Sequence, residues 1–127
     1  MSIWQRPITS KIKTYKEPRW VALRKRILYR DKFIDQYWKR YGKFKTADIV
    51  HHIFPVKDFP EYQFAEWNLI SVAKSTHNMF HNQNTDELTD LGKELLVWTA
   101  RRNNVEVPAW YVKPKEKGKN YRYFRNG

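Results

Sequence analysis

The chain has 127 residues, of which 41% are hydrophobic and 17% aromatic, so it can bury one modest core and carry basic extensions. It contains no cysteine, which excludes disulfides and thiolate metal sites and fits a reducing cytoplasm. Its formal net charge of +12 suits an acidic partner such as a polyanion. No stretch approaches the roughly 18 apolar residues that span a bilayer, and no signal-peptide core is visible, so neither a membrane partner nor secretion by a cleaved signal is expected.

The charge is distributed unevenly along the chain. The net charge is +11 over residues 1–47, −5 over residues 48–91 and +6 over residues 92–127. Basic flanks suit a polyanion, because each phosphate neutralised by Lys or Arg releases counterions. We therefore expect a nucleic-acid partner; the alternative is that the charge serves solubility alone.

Residues 1–17 are basic with little periodicity, which indicates an N-terminal arm. From Pro18 onward the pattern changes to that of an amphipathic helix over about residues 18–30. Its apolar positions recur at spacings of three and four: Trp20, Leu23, Ile27 and Leu28. The basic residues on its remaining surface, which are candidates for contact with DNA, are Arg24, Lys25, Arg26 and Arg30.

Two strands and two helices are predicted after a turn at Gly42. Residues 47–53 and 69–73 predict the strands of a hairpin, joined by a long loop in which residues 57–61 cannot be regular. Ser75 or Thr76 is expected to cap a helix running to His81. A further helix over about residues 86–103 presents one apolar face: Leu88, Leu91, Leu95 and Trp98. The basic, aromatic tail over residues 106–127 is either a DNA-contacting arm or a solvated terminus.

All four histidines lie within a window of 31 residues in the acidic part of the chain. Imidazole both binds borderline divalent ions and moves protons near neutral pH. His77 and His81 are four residues apart, which on a helix places both rings on one face. Adjacent strand residues point to opposite faces, so His51 and His52 are expected to have different functions. A general base must keep the lone pair that a metal-bound imidazole has lost.

Three segments resemble the HNH endonuclease motif of small phage-encoded proteins: residues 50–55 (VHHIFP), 67–72 (WNLISV) and 76–81 (THNMFH). The preceding helix also resembles its counterpart in that group, and the resemblance covers about residues 18–83. It implies an α+β fold with a ββα-metal (His-Me finger) core of a two-stranded hairpin plus helix, flanking helices and basic termini. The nuclease domain would span residues 18–105, between the arm and the tail.

The resemblance also implies a function and its residues. The protein would be a metal-dependent DNA endonuclease that nicks or cuts DNA and leaves a 5′-phosphate and a 3′-hydroxyl. One divalent ion (Mg²⁺, Mn²⁺, Ni²⁺ or Zn²⁺) would be held by His51, His77 and His81, the last matching the extra histidine of colicin-like variants. The two catalytic residues would be His52, as the general base, and Asn68, as the central Asn of the motif. A phage origin, action in the host cytoplasm, a homodimer and phage packaging partners are associations of the resemblance.

One departure concerns a structural zinc site. Many members of the family carry two C-x-x-C pairs that bind zinc, whereas the corresponding residues here are 35–38 (DQYW) and 73–76 (AKST). Something must replace the folding energy of the metal. The expected replacement is packing among four aromatic side chains: Tyr37, Trp38, Tyr41 and Phe44.

Two other functions remain open at this stage. A noncatalytic DNA-binding module could use all four histidines as a structural zinc site. That alternative predicts chelator-sensitive folding without cleavage, and it leaves Asn68 unexplained. A nuclease toxin domain of the colicin kind would need an acidic immunity partner and a translocation region, and the chain shows no such region.

Overall fold

The computed structural model describes residues 16–112. The predicted N-terminal arm and most of the predicted tail fall outside this range, and the domain bounds drawn from the sequence stay predictions. The chain divides into two compact units, residues 1–77 and 78–127, which are considered separately. No helix in the described range is long and apolar enough to cross a membrane.

The fold is α+β, as the sequence predicts. The first unit contains, in chain order, α1 (Pro18–Arg30), α2 (Gln36–Lys39), β1 (Ile49–His52), 3-10 turns at Pro60–Tyr62 and Glu66–Asn68, β2 (Leu69–Val72) and the start of α3 (Lys74–Phe80). The second unit contains the end of α3 and helix α4 (Asp90–Arg102). A two-stranded antiparallel hairpin followed by a helix is the ββα arrangement expected of the core.

Helix α1 has the predicted bounds and the predicted buried face. Proline occupies its first turn, where no intrahelical N–H bond is lost. The four apolar positions are all buried and pack with Val50 and Leu69 of the hairpin: Trp20, Leu23, Ile27 and Leu28. Because burying each large apolar side chain contributes about 1.5–3 kcal/mol, this contact is the main attachment of α1 to the hairpin.

Both strands are shorter than predicted. Their register pairs Val50 with Ser71 and His51 with Ile70. Ala47 does not join β2, because its N–H donates instead to the carbonyl of Phe33, 2.8 Å away in the segment after α1. The face carrying Val50 packs on α1, since Ser71 Oγ on the same face donates to the Ile27 carbonyl at 3.4 Å.

The carboxylate of Asp35 joins residues 35–38 to residues 73–76. The Asp35 side chain is fully buried and accepts hydrogen bonds from the Trp38 N–H (2.9 Å), the Ala73 N–H (2.8 Å) and the Thr76 hydroxyl (2.6 Å). The predicted capping by Ser75 or Thr76 is wrong, because α3 begins at Lys74 and the Thr76 hydroxyl is committed to Asp35.

The predicted aromatic packing is only partly correct. Tyr37 is buried and makes edge contacts with Trp38 and Tyr41, at ring-centroid distances of 5.2 and 5.5 Å. Phe44 is 74% exposed and takes no part in the cluster. Trp38 and Tyr41 also meet, at 6.0 Å between ring centroids, so three aromatic contacts and a buried carboxylate hold this segment, rather than four packed rings.

Helix α4 begins later than predicted. Asp86 has a φ of 63°, which is incompatible with a helical residue, and the Thr89 hydroxyl accepts the Gly92 N–H to cap the helix. The predicted apolar face is also partly wrong, since Leu91 and Trp98 are only half-buried. The residues that α4 buries are Gly92, Glu94, Leu95, Leu96, Thr99 and Ala100.

Candidate metal centre and active site

Two of the predicted metal ligands meet across the hairpin and α3. His51 lies in β1, is 1% exposed, and points to the face opposite α1. His77 lies in α3, and its ring centroid is 5.3 Å from that of His51. A strand residue and a helix residue therefore present imidazoles to one another, an arrangement that the ββα topology produces by folding α3 back onto this face of the hairpin.

His81 follows α3 directly, four residues after His77. One nitrogen from each of His51, His77 and His81 lies within 4.8 Å of the others, so the three imidazoles could hold a metal ion. Asp86 stands beside His81 Nδ1, with its carbonyl oxygen at 3.4 Å and a carboxylate oxygen at 3.8 Å. Metal-binding histidines commonly donate their second ring N–H to such oxygens, which orients the ring.

His52 is held apart from this cluster. Its ring stacks on Trp20 of α1, with centroids 4.8 Å apart and planes inclined by 23°. Its Nε2 lies 3.0 Å from the carbonyl oxygen of Gln63, in the loop of the hairpin. A carbonyl only accepts, so Nε2 carries the hydrogen in the neutral ring, and the tautomer places the proton-accepting lone pair on Nδ1. The arrangement does not support a site formed by all four histidines.

Asn68 ties together the loop that carries Gln63. Its side chain is fully buried; Oδ1 accepts the Phe54 N–H at 2.7 Å, and Nδ2 donates to the carbonyls of Phe54 and Tyr62, both at 3.1 Å. These contacts fix the loop between β1 and β2. Phe54 also meets Trp67 edge to face, at 5.7 Å between ring centroids.

A cluster of aromatic side chains packs in the loop that Asn68 fixes. Its members are Phe54, Phe59, Tyr62 and Trp67. Burial, and to a lesser extent the neighbouring Glu61 carboxylate, raises the pKa of Tyr62. The phenol therefore stays neutral around neutral pH, and no charge develops inside the cluster.

The predicted DNA-contacting residues of α1 make different contacts within the protein. The Arg30 guanidinium binds both carboxylate oxygens of Asp31 at 2.9 Å and the carbonyls of Glu66 (3.0 Å) and Leu69 (2.7 Å). These four hydrogen bonds of the Arg30 guanidinium hold α1 to β2 and to the residues before it. Arg26 pairs with the Glu66 carboxylate at 3.0 Å, and both side chains are more than half exposed.

The remaining two residues of that set are also exposed. Arg24 donates to the Asp48 carbonyl at 2.6 Å, and Lys25 lies on the exposed face of α1. A DNA contact by any of the four stays a prediction. Arg30 is the least suited to it, because its donors already face protein oxygens.

Several residues that shape the site were not singled out in the sequence. Asp31 and Asp35 look like ordinary helix-end acids, yet Asp31 accepts the Ser71 N–H at 3.0 Å and Asp35 binds the start of α3. The carbonyl of Gln63 carries no side-chain signal at all. Trp20 has the spacing of a core residue, and the spacing does not reveal that its ring supports His52.

His51 of β1 faces His77 of α3, and His81 follows one turn along. The other strand histidine, His52, lies apart from them beside the loop that Asn68 fixes. This arrangement defines a nuclease fold of the ββα-metal class. Neither a family model nor a curated protein matches the sequence. The fold is similar to a solved structure, the HNH endonuclease of the deep-sea thermophilic bacteriophage GVE2 with manganese ion. The TM-score is 0.54 and the sequence identity 26%, and the match covers 55% of this chain and 76% of that chain. The fold, the histidine cluster and this neighbour together relate the chain to the HNH endonuclease family.

Proposed function

We propose that this protein is a metal-dependent DNA endonuclease that hydrolyses phosphodiester bonds. The observation that carries the proposal is the division among its histidines. Three imidazoles offer nitrogens within 4.8 Å of one another, while His52, the neighbour of one of them, is separately oriented by Trp20 and Gln63. A metal site next to an independent proton acceptor is what hydrolysis of a phosphodiester requires.

The donor set fits a divalent ion on His51, His77 and His81. Neutral imidazole nitrogens suit Mn²⁺, Ni²⁺ and Zn²⁺ better than Mg²⁺, which prefers oxygen ligands. The HNH endonuclease of phage GVE2 was solved with manganese, so Mn²⁺ is the first ion to test. When bound, the ion supplies positive charge that offsets the negative charge growing on the phosphate in the transition state.

The chain's own residues handle the proton. Because Nε2 of His52 donates to the Gln63 carbonyl, Nδ1 takes the proton from the attacking water. The flat stack on Trp20 keeps the ring from turning about its side-chain bonds, and the backbone carbonyl stabilises the imidazolium that forms. By the resemblance to HNH endonucleases, the proposed hydrolysis leaves a 5′-phosphate and a 3′-hydroxyl.

Asn68 serves the reaction by holding the loop. Its three hydrogen bonds join the two ends of the segment between β1 and β2, so the Gln63 carbonyl stays fixed relative to His52. Asn68 is accordingly a positioning residue in this proposal. It does not touch the reacting atoms.

DNA is the substrate that the charge favours. The basic residues of α1 and of both chain ends would neutralise phosphates and supply affinity with little sequence information. Lys25 lies on the exposed face of α1 and is one of these candidates. A homodimer and packaging partners stay predictions, as do nicking against double-strand cleavage and the cellular location.

The test is cleavage of supercoiled plasmid by the parent protein and by His52→Ala, in EDTA and then with Mn²⁺, Ni²⁺, Zn²⁺ or Mg²⁺. Metal-dependent conversion to open-circle or linear DNA by the parent alone supports the proposal. End-labelling of the products with polynucleotide kinase, before and after phosphatase, reports the 5′-phosphate. A parent that binds DNA but cleaves with none of these ions would instead support a noncatalytic module.

A further inference from the structure

A buried carboxylate lies at the start of α3, the helix that carries the candidate metal ligand His77. Asp35 is fully buried, as is its partner Thr76, and the carboxylate meets three donors at 2.6–2.9 Å. Its Oδ1 caps the short helix α2 through the Trp38 N–H. Its Oδ2 receives two donors from another part of the chain, the Ala73 N–H and the Thr76 hydroxyl.

The two Oδ2 donors bracket the start of α3. Ala73 is the residue between β2 and α3, and Thr76 lies in the first turn of the helix, directly before His77. Helix α3 has seven residues, too few to be stable without contacts to the rest of the fold. Its direction and its rotation about its own axis must therefore come from anchored side chains and backbone groups.

Anchoring Thr76 orients its neighbour. Successive helical residues are turned by about 100° around the axis, so a hydroxyl fixed on Asp35 sets where the His77 ring points. His77 meets His51 at 5.3 Å between ring centroids, and His51 sits in the hairpin. A metal site tolerates displacements of only about 0.5 Å in its ligands before affinity is lost.

Burying a carboxylate is costly unless it is fully hydrogen-bonded. Capping α2 alone would need only Oδ1, and a neutral Asn would supply that oxygen equally well. The two donors at Oδ2 explain the charged residue, because an Asn amide would present N–H groups to the Ala73 N–H. Capping of α2 therefore does not explain why Oδ2 of Asp35 accepts two hydrogen bonds from the start of α3.

We propose that Asp35 is a positioning residue that sets His77 against His51 through the Ala73 N–H and the Thr76 hydroxyl. The inference rests on the proposed function, in that it takes the two histidines as metal ligands. It assigns to a residue outside the histidine cluster an effect on metal affinity beyond its contribution to folding.

The experiment compares Thr76→Val, which removes only the hydroxyl, with Thr76→Ser, which keeps it, and with Asp35→Asn. Mn²⁺ binding is measured without DNA by the electron paramagnetic resonance signal of the free ion, and thermal unfolding is measured in EDTA. Thr99→Val in α4 is the matched control, since Thr99 is also a buried helical threonine. Thr76→Val is the decisive variant if Asp35→Asn does not fold.

Thr76→Val and Asp35→Asn are expected to weaken Mn²⁺ binding by about tenfold to a hundredfold, the range that follows removal of a group orienting a metal ligand. Thr76→Ser restores parental affinity, Thr99→Val leaves it unchanged, and the KM for plasmid changes little while kcat falls. Variants that unfold earlier in EDTA yet bind Mn²⁺ like the folded parent would overturn the inference and leave the nuclease proposal standing. A parent that binds no Mn²⁺ overturns the metal assignment itself.

Discussion

The imidazole of His52 lies flat on the indole of Trp20, with ring centroids 4.8 Å apart and planes inclined by 23°. Trp20 belongs to α1 and is 4% exposed, so the surface beneath His52 is rigid. The helix that precedes the hairpin therefore supports His52, the proposed base, as well as the core. The stack on Trp20 sets the orientation of the His52 ring. The hydrogen bond from Nε2 to the Gln63 carbonyl, at 3.0 Å, sets the tautomer of the neutral ring.

Replacing Trp20 tests that stack. Trp20→Leu should lower kcat about twofold to tenfold, because an aromatic pair contributes about 0.5–1.5 kcal/mol beyond its burial. Trp20→Phe keeps a ring beneath His52 and is the matched control, with a smaller loss. The measurement is single-turnover cleavage of a labelled duplex at saturating Mn²⁺. Equal rates for the Leu and Phe variants would show that the stack is irrelevant to turnover.

Removing the proposed base should abolish turnover while leaving binding intact. His52→Ala is expected to reduce the cleavage rate by about 10²–10⁴, the usual contribution of a positioned general base. Mn²⁺ affinity should stay at the parental value, since His52 lies outside the histidine cluster. Titration with Mn²⁺ and a DNA mobility-shift assay check both points. Parental activity in this variant would refute the role of His52.

Chelation separates a catalytic metal from a structural one. In EDTA the protein should lose cleavage and keep its far-ultraviolet circular dichroism, because a hydrophobic core and the Asp35 bonds hold the first unit. Mn²⁺ at one hundred times its Kd should then raise stability by about 2.7 kcal/mol, through preferential binding to the folded state. His51→Ala and His77→Ala should remove this increment. Unfolding on chelation would favour the structural-zinc module.

Arg30 and Lys25 should respond differently to substitution, although both were predicted to contact DNA. Arg30→Ala should destabilise the fold by about 1–3 kcal/mol, since it removes the charged partner of the buried Asp31 carboxylate, although the Arg30 side chain is 39% exposed and solvent offsets part of the loss. Lys25→Ala should leave stability unchanged and reduce the salt dependence of DNA binding by about one unit of slope. Urea unfolding and binding isotherms at several salt concentrations distinguish the two. A reduced slope for Arg30→Ala in folded protein would restore it as a phosphate contact.

Gly92→Ala should destabilise the second unit, although alanine normally favours a helix by about 1 kcal/mol. A Cβ at this position would lie 2.5 Å from the backbone carbonyl oxygen of Phe80 and 2.9 Å from a methyl carbon of Leu88. Backbone cannot move aside cheaply, so the expected cost is about 1–3 kcal/mol. Lys93→Ala, one residue along α4, is the control and should be nearly neutral. Thermal unfolding of both variants gives the comparison.

The sequence by itself determined the elements that depend on local pattern. The spacing of Trp20, Leu23 and Ile27 located α1 to the residue, and the hairpin and following helix were correct within a few positions. It also separated His51 from His52, because adjacent strand residues must face opposite ways. Resemblance to the HNH motif supplied the class of fold and the candidate ligands.

Only the tertiary structure decided which polar groups meet. The tautomer of His52 depends on a backbone carbonyl that leaves no mark in the sequence, and Asp35 reaches Thr76 through a fold that brings distant segments together. Phe44 is exposed although its residue type suggested burial, whereas Tyr41, nearby in the sequence, contacts the buried Tyr37. Local periodicity reports which face of an element is buried. Hydrogen bonds between distant residues depend on angles and distances that are set only when the elements pack.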